Sequence, residues 1–205
     1  MRLQRLVLLS VPILVVAAVS CLSNSKVPGD QVLGTFRFDA TIDWSRTTCS
    51  QSDGGIVTIG DAGTLRFEGT YSRNDDGGGG YLTTQGFPRN AEYDGQRAVS
   101  EYRVAATLAG CGSTCEGAAI DETLEALLLS NSQDELVGRK CSGLLSDGGI
   151  PEGDGGAQPP GPTPNGYDVQ RACGTLTDEF IPGTKNCTCT KGCTAVYTVE
   201  GTRVN

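Results

Sequence analysis

The chain has 205 residues, with 24 Asp and Glu against 16 Lys and Arg for a net charge of −8, 29 glycines, nine cysteines and no histidine. The acidic balance suits neither nucleic acid nor anionic lipid heads. The lack of histidine excludes Ser-His-Asp and Cys-His nucleophiles, histidine general bases and every histidine-containing metal site. Abundant glycine and few helix formers point to turn-rich β structure, in a length that suits one domain or one domain with a small appendage.

Residues 1–20 read as a secretory signal: Arg2 and Arg5, an apolar run from Leu6 to Val19, and the small residues Ala17, Ala18 and Ser20. The apolar run is shorter than the roughly 20 residues that span a bilayer. Its end, Ala18-Val19-Ser20-Cys21, resembles a bacterial lipobox. That resemblance implies cleavage before Cys21, a diacylglyceryl thioether on its sulfur and acylation of the new amino terminus by a palmitate-type chain. A plain secretory signal would instead leave Cys21 an ordinary thiol. The cysteine count favours the lipid, because removing Cys21 leaves eight, an even number suited to disulfides. In a lipoprotein, Leu22 in place of Asp after the lipidated cysteine is consistent with sorting to the outer membrane.

Residues 21–31 follow as the lipidated cysteine and a polar tether, and residues 32–145 as the main β domain. Within it, Phe36, Phe38, Ala40, Ile42 and Trp44 alternate with Thr35, Arg37, Asp39, Thr41 and Asp43, the period-two pattern of a half-buried strand. Ile56 to Ile59 and a run with Leu65, Phe67 and Tyr71 on one face read as a hairpin. Tyr81 to Gln85 is a weaker strand. After the Asp94-Gly95 turn, Tyr102, Val104, Ala106 and Leu108 form another inward face. Residues 118–129 fit both a helical stripe and an alternation in which Glu122 is the offender; the β context favours strand. Glu135 to Lys140 could add a short one. The expected core joins Phe36, Phe38, Ile42 and Trp44 to Leu65, Phe67, Tyr71, Tyr102, Val104 and Leu108.

Residues 146–166, rich in Gly, Pro and Asp, read as a flexible loop. Residues 167–205 form a cysteine-rich β segment that completes the same fold. Export makes Cys49, Cys111, Cys115, Cys141, Cys173, Cys187, Cys189 and Cys193 disulfide partners rather than zinc ligands. Neither Cys111/Cys115 nor Cys187/Cys189/Cys193 has the two-residue spacing of a zinc ribbon or a thioredoxin-type site. Cys111 and Cys115 are expected to pair locally. Cys187 and Cys189 are not expected to pair with each other, since a one-residue gap strains the geometry. Asn74-Asp75-Asp76-Gly77 resembles a fragment of a calcium loop but lacks the downstream bidentate Glu, and reads as an acidic turn. The carboxylates Asp39, Asp43, Glu68, Glu101 and Glu122 could serve a glycosidase, but a solvated strand face explains them better.

The resulting expectation is all-β: a single antiparallel meander of about eight strands forming a barrel or sandwich, stapled by disulfides. In plan the chain resembles the cysteine-rich lipoproteins of the bacterial outer envelope, a likeness that carries no active residues. The expected function is a non-enzymatic binding or structural role in a membrane-anchored envelope lipoprotein, with the membrane as partner through the lipid and an envelope protein or small ligand as second partner, and with no nucleic acid, cofactor, metal or catalytic residue expected. The alternative is a small secreted hydrolase using carboxylates. A pair of inward acids lining a cleft would mark the hydrolase; an apolar mouth would mark a binding protein.

Overall fold

The computed structural model describes residues 27–49, 63–130, 141, 162–163 and 166–204. The signal, Cys21, most of the tether, the expected strand at 56–59, the one at 135–140 and most of the 146–166 break lie outside the described residues.

The fold is a closed barrel of eight antiparallel strands in up-and-down order. They are β1 (Gln31–Ile42), β2 (Thr64–Arg73), β3 (Gly79–Thr84), β4 (Phe87–Asp94), β5 (Arg97–Ala105), β6 (Ala119–Ser130), β9 (Val169–Ile181) and β10 (Cys193–Val204). Each pairs with the next, and β10 returns to β1, so every strand has two partners over part of its length. Between β6 and β9, β7 (Pro162–Thr163) and β8 (Gly166–Tyr167) form a separate two-stranded ladder. The cysteine-rich segment does complete the barrel, with β9 on β6 and β10 on β1. The ambiguous stretch at 118–129 is strand β6. Its Ala and Leu favour helix only weakly, and pairing on both sides overrides them.

Three elements differ from the sequence reading, the first being β5, which ends at Ala105 so that Ala106 and Leu108 of its expected inward face lie beyond the strand. β1 starts at Gln31, inside the expected tether, where a bulge between Val32 and Gly34 lets the chain join β2. β4 was not expected: Pro88, Arg89 and Asn90 hide its alternation.

The closed half of the barrel is filled by Phe36, Phe38, Tyr71, Leu82, Leu124, Leu128 and Val199, all at most 1% exposed. Phe38 stacks on Phe67 with ring centres 4.8 Å apart and meets Tyr71 edge-on at 6.2 Å. Gly201 is the partner of Phe38 across β1 and β10, and a Cβ there would lie 2.6 Å from the Phe38 ring. Glycine at that position makes room for the aromatic cluster. The expected core needs correcting at its upper members. Trp44 lies beyond the end of β1 and is 36% exposed, and Leu65, Tyr102 and Val104 are 37–41% exposed. Leu108 is buried as expected, just before a 3₁₀ turn at Ala109–Cys111.

The outer wall is charged. Arg37 pairs with Glu68 (3.3 Å), Arg66 with Asp39 (2.6 Å) and Arg103 with Asp121 (3.1 Å), each directly across adjacent strands. Each such exposed pair contributes little, about 0.2–1 kcal/mol. Together they make a face that a hydrocarbon layer would not accept.

All eight cysteines of the expected set are paired, as Cys49–Cys193, Cys111–Cys189, Cys115–Cys187 and Cys141–Cys173. The local Cys111–Cys115 bridge is therefore wrong. The β5–β6 and β9–β10 loops run antiparallel past each other, with a bridge between Glu116 and Lys185 and a hydrogen bond from Thr188 N to Cys111 O (3.0 Å). That register nests the two bridges, 111 to 189 and 115 to 187. Three bridges gather at one end of the barrel. The fourth holds Cys141 over an outer apolar patch with Cys173, Leu127 and Leu129.

Candidate functional site

Towards its disulfide-bearing end the barrel opens at the side. The β3–β4 hairpin turns early, through Gln85 (φ 51°) and Gly86 (φ 82°). β3 pairs with β2 only over Gly69–Arg73, leaving Thr64–Glu68 of β2 without a neighbour on that side. β4 pairs with β5 only over Ala91–Asp94, leaving Glu101–Ala105 of β5 bonded to β6 alone. Pro88 contributes to the second gap. Thr84 and Phe87 close a two-residue hairpin, so the next nitrogen, that of Pro88, faces β5, where it has no hydrogen to donate. The wall is notched between β2 and β5, above the hairpin tip.

Behind the notch lies a cavity of about 430 Å³. Leu65 and Phe67 of β2, Phe87 at the hairpin tip, Val104 of β5 and Leu176 of β9 give it apolar walls. Four of the six large apolar side chains that are exposed on the described residues line it: Leu65, Phe87, Tyr102 and Val104, with Phe87 at 68%. They are exposed because they face an open interior rather than because the strands are misphased.

Three charged groups share this interior: Arg89, Glu122 and Asp178. Each stands in phase with inward apolar neighbours, Arg89 between Phe87 and Ala91, Glu122 between Ile120 and Leu124, Asp178 between Leu176 and Phe180. Tyr102, Glu122 and Asp178 are direct register partners across β5, β6 and β9, so they form one circumferential row. Arg89 reaches this row from β4. It forms an ion pair with Glu122 and lays its guanidinium 4.5 Å from the centre of the Tyr102 ring. Burial pulls the Arg89 pKa down, and Tyr102 and Asp178 oppose this. Asp178 is less well served. Burial pushes its carboxyl up to about 6, with the Arg89 charge working the other way, and its Oδ1 is buried with no hydrogen-bond partner among the described residues. Burial, and then the neighbouring Asp178, push the Tyr197 phenol up to about 12.

Of the carboxylates considered from sequence, only Glu122 joins this site. Asp39 and Glu68 are outward partners of Arg66 and Arg37. Glu101 is exposed. Asp43 organises the turn after β1, accepting from Ser45 N (3.0 Å) and Arg46 Nε (2.9 Å); the Ser45 hydroxyl bond is the chief cause of its lowered pKa, against a smaller opposing effect of burial. Asp76 of the acidic turn accepts from Gly78 N and Gly79 N. The sulfurs of Cys111, Cys115 and Cys189 lie within 4.8 Å of one another, but all three are in disulfides, so a metal would first require reduction. Asp178 and Arg89 were missed. The available signal was a charged residue in phase with an apolar face, the same signal that made Glu122 look like an error.

The fold and site define an eight-stranded up-and-down barrel with a side-opening internal cavity. Comparison with protein-family models, with curated proteins and with solved structures finds no match to the chain.

The state of Asp178 has a measurable consequence. Its folded pKa is above the unfolded value, so the native state holds this proton more tightly. That contribution to stability is complete below the unfolded pKa of 3.8 and is lost as pH rises through about 6. Above that, the ionised carboxylate costs about 2 kcal/mol, after discounting a shift of roughly two units for partial exposure. Asp178→Asn should match the parent protein near about pH 4 and exceed its stability by about 2 kcal/mol near about pH 8. Urea unfolding of both proteins at the two pH values checks this. A variant less stable at the higher pH would mean that the carboxylate is satisfied in the fold.

Proposed function

We propose that the protein is a lipid-anchored lipoprotein of a bacterial envelope, held at the outer membrane through Cys21, whose barrel binds a small ligand without transforming it. The observation that carries the binding role is the cavity behind the notch: concave, mainly apolar, with a few convergent polar groups. A core that existed only for stability would close over Leu65, Phe87 and Val104 instead of leaving them exposed. The anchor reading rests on the lipobox resemblance and gains support from the charged outer wall. β1 begins at the end of the barrel opposite the cavity, where Asp30 accepts from Asp75 N of the β2–β3 turn (2.9 Å). A tether entering there leaves the mouth clear of the membrane.

A second reading, carboxylate-dependent hydrolysis, is favoured by one observation: Glu122 and Asp178 are inward acids on neighbouring strands. Against it, Glu122 is engaged by Arg89. One set of measurements tests both. Cells fed an alkyne-tagged fatty acid should label the parent protein and not Cys21→Ser; an unlabelled parent would end the lipoprotein reading. The unlipidated protein, exported as Cys21→Ser behind an ordinary secretory signal, should bind decanol by calorimetry, and Val104→Glu should abolish that binding. Absence of decanol binding together with turnover of aryl glycosides lost in Glu122→Gln would replace binding by hydrolysis.

A further inference from the structure

The charge balance inside the cavity narrows its ligand. One cation, Arg89, faces two carboxylates, Glu122 and Asp178. Arg89 is already committed, to Glu122 by an ion pair and to the Tyr102 ring by its face. Arg66, the other cation on the lining, turns outward, where its Nε donates to Asp39 at 2.6 Å and the side chain is 82% exposed. An anionic ligand therefore finds no uncommitted cation among the described residues that line the cavity, and it would meet Asp178. A neutral one could donate a hydrogen bond to Asp178 Oδ1, which has no partner among the described residues, but leaves one carboxylate charge unbalanced. A protonated amine satisfies that oxygen and brings the charge of the interior to balance. Leu65, Phe67, Phe87 and Val104, towards the notch, leave an apolar track for the rest of the molecule.

We propose that the cavity binds an amphipathic cation, an aliphatic or aromatic amine whose ammonium group sits on Asp178 beside the Arg89–Glu122 pair and whose apolar body lies along Leu65, Phe67, Phe87 and Val104. The proposal rests on the binding role argued above and adds the chemistry of the ligand. The head group is recognised by the row Tyr102–Glu122–Asp178, and the tail leaves through the gap between β2 and β5. Binding is then linked to pH. Arg89 from β4, Tyr102 from β5, Glu122 from β6 and Tyr197 from β10 are the charged or titratable groups around Asp178. Among them, Asp178 is the carboxyl held near neutrality by burial. Protonating it removes the partner of the ammonium group.

The test uses the unlipidated full barrel and three ligands with one tail: decylammonium, decanol and decanoate, titrated by calorimetry near about pH 7.5. Decylammonium should bind at least about tenfold more tightly than decanol, the worth of one charge-assisted hydrogen bond at roughly 1.4 kcal/mol or more. Decanoate should bind most weakly. Asp178→Asn should bring decylammonium to within about threefold of decanol, both measured on the variant. In the parent protein, lowering the pH to about 5 should weaken decylammonium about tenfold and change decanol by less than about threefold, since a group titrating near 6 is then mostly protonated. This second measurement needs no variant. Decanol binding as tight as decylammonium, or decanoate binding tightest, overturns the cationic ligand and leaves the binding role standing. Failure of all three to bind overturns both.

Discussion

Replacing Cys49 and Cys193 together by serine should lower the stability of the oxidised protein by about 4 kcal/mol. The bridge spans 144 residues, the longest of the four separations. In the chain-entropy account, a loop of about 100 residues already gives about 4.7 kcal/mol. The bridge between Cys111 and Cys189, 78 residues apart, offers a shorter route between the two ends, which lowers the expectation slightly. Removing Cys141–Cys173, which spans only 32 residues, should cost less. The first bridge also ties the segment after β1 to the start of β10. Thr47 and Thr48 help it, accepting from Val196 N (3.0 Å) and Thr194 N (2.8 Å). Equilibrium unfolding in denaturant, with thiols blocked, measures the difference. A loss below about 1 kcal/mol would show that these hydrogen bonds hold the segment without the covalent link.

The plan of the barrel was legible where one face is apolar and the other charged. β1 shows this best: Phe36, Phe38 and Ala40 are buried, while Arg37 and Asp39 pair with β2 outside. β6 was readable once Glu122 was treated as an interruption. β4 was not, because its inward positions include Arg89 and it carries Pro88. The site was illegible for the same physical reason. Period-two patterning assumes that inward means apolar, whereas this cavity has charges on its inward-facing positions. Arg89, Glu122 and Asp178 therefore read as noise in three separate strands, and only the register brings them together. The tertiary consequence of alternation was misjudged too. Leu65, Tyr102 and Val104 do point inward, but the short β3–β4 hairpin leaves nothing there to bury them.

The cysteines divide along the same line. That eight would pair was expected from the signal-like N-terminus and an even count. Which pairs form depends on how the loops pass each other, and spacing along the chain holds no trace of that. Cys111 and Cys115 are near in sequence, yet each faces a closer sulfur on the β9–β10 loop. In an up-and-down barrel the β5–β6 and β9–β10 loops emerge at one end, which is why those bridges gather there.

The aromatic cluster behind the cavity wall gives the second large effect. Phe38→Ala should destabilise the protein by about 3–5 kcal/mol, whereas Arg37→Ala, one residue away, should stay within about 0.5 kcal/mol. Phe38 is fully buried and lies between Phe67, Tyr71 and the space left by Gly201. Little can move in to fill the gap, because strands β1 and β10 are fixed by their ladder on both sides. Arg37 is 61% exposed and gives up only its surface pair with Glu68. Thermal melts of the two variants decide between the faces of β1; a larger loss at Arg37 would mean that the strand is assigned the wrong way round. The same substitution should also change binding. Phe67, which walls the cavity, is stacked on Phe38, so removing that ring deepens the cavity towards the closed half of the barrel. If Phe38→Ala remains folded, it should favour a longer alkyl tail than the parent protein does, while keeping its dependence on Asp178. A variant that lost the tail preference and the head-group preference together would place the ligand somewhere other than behind the notch.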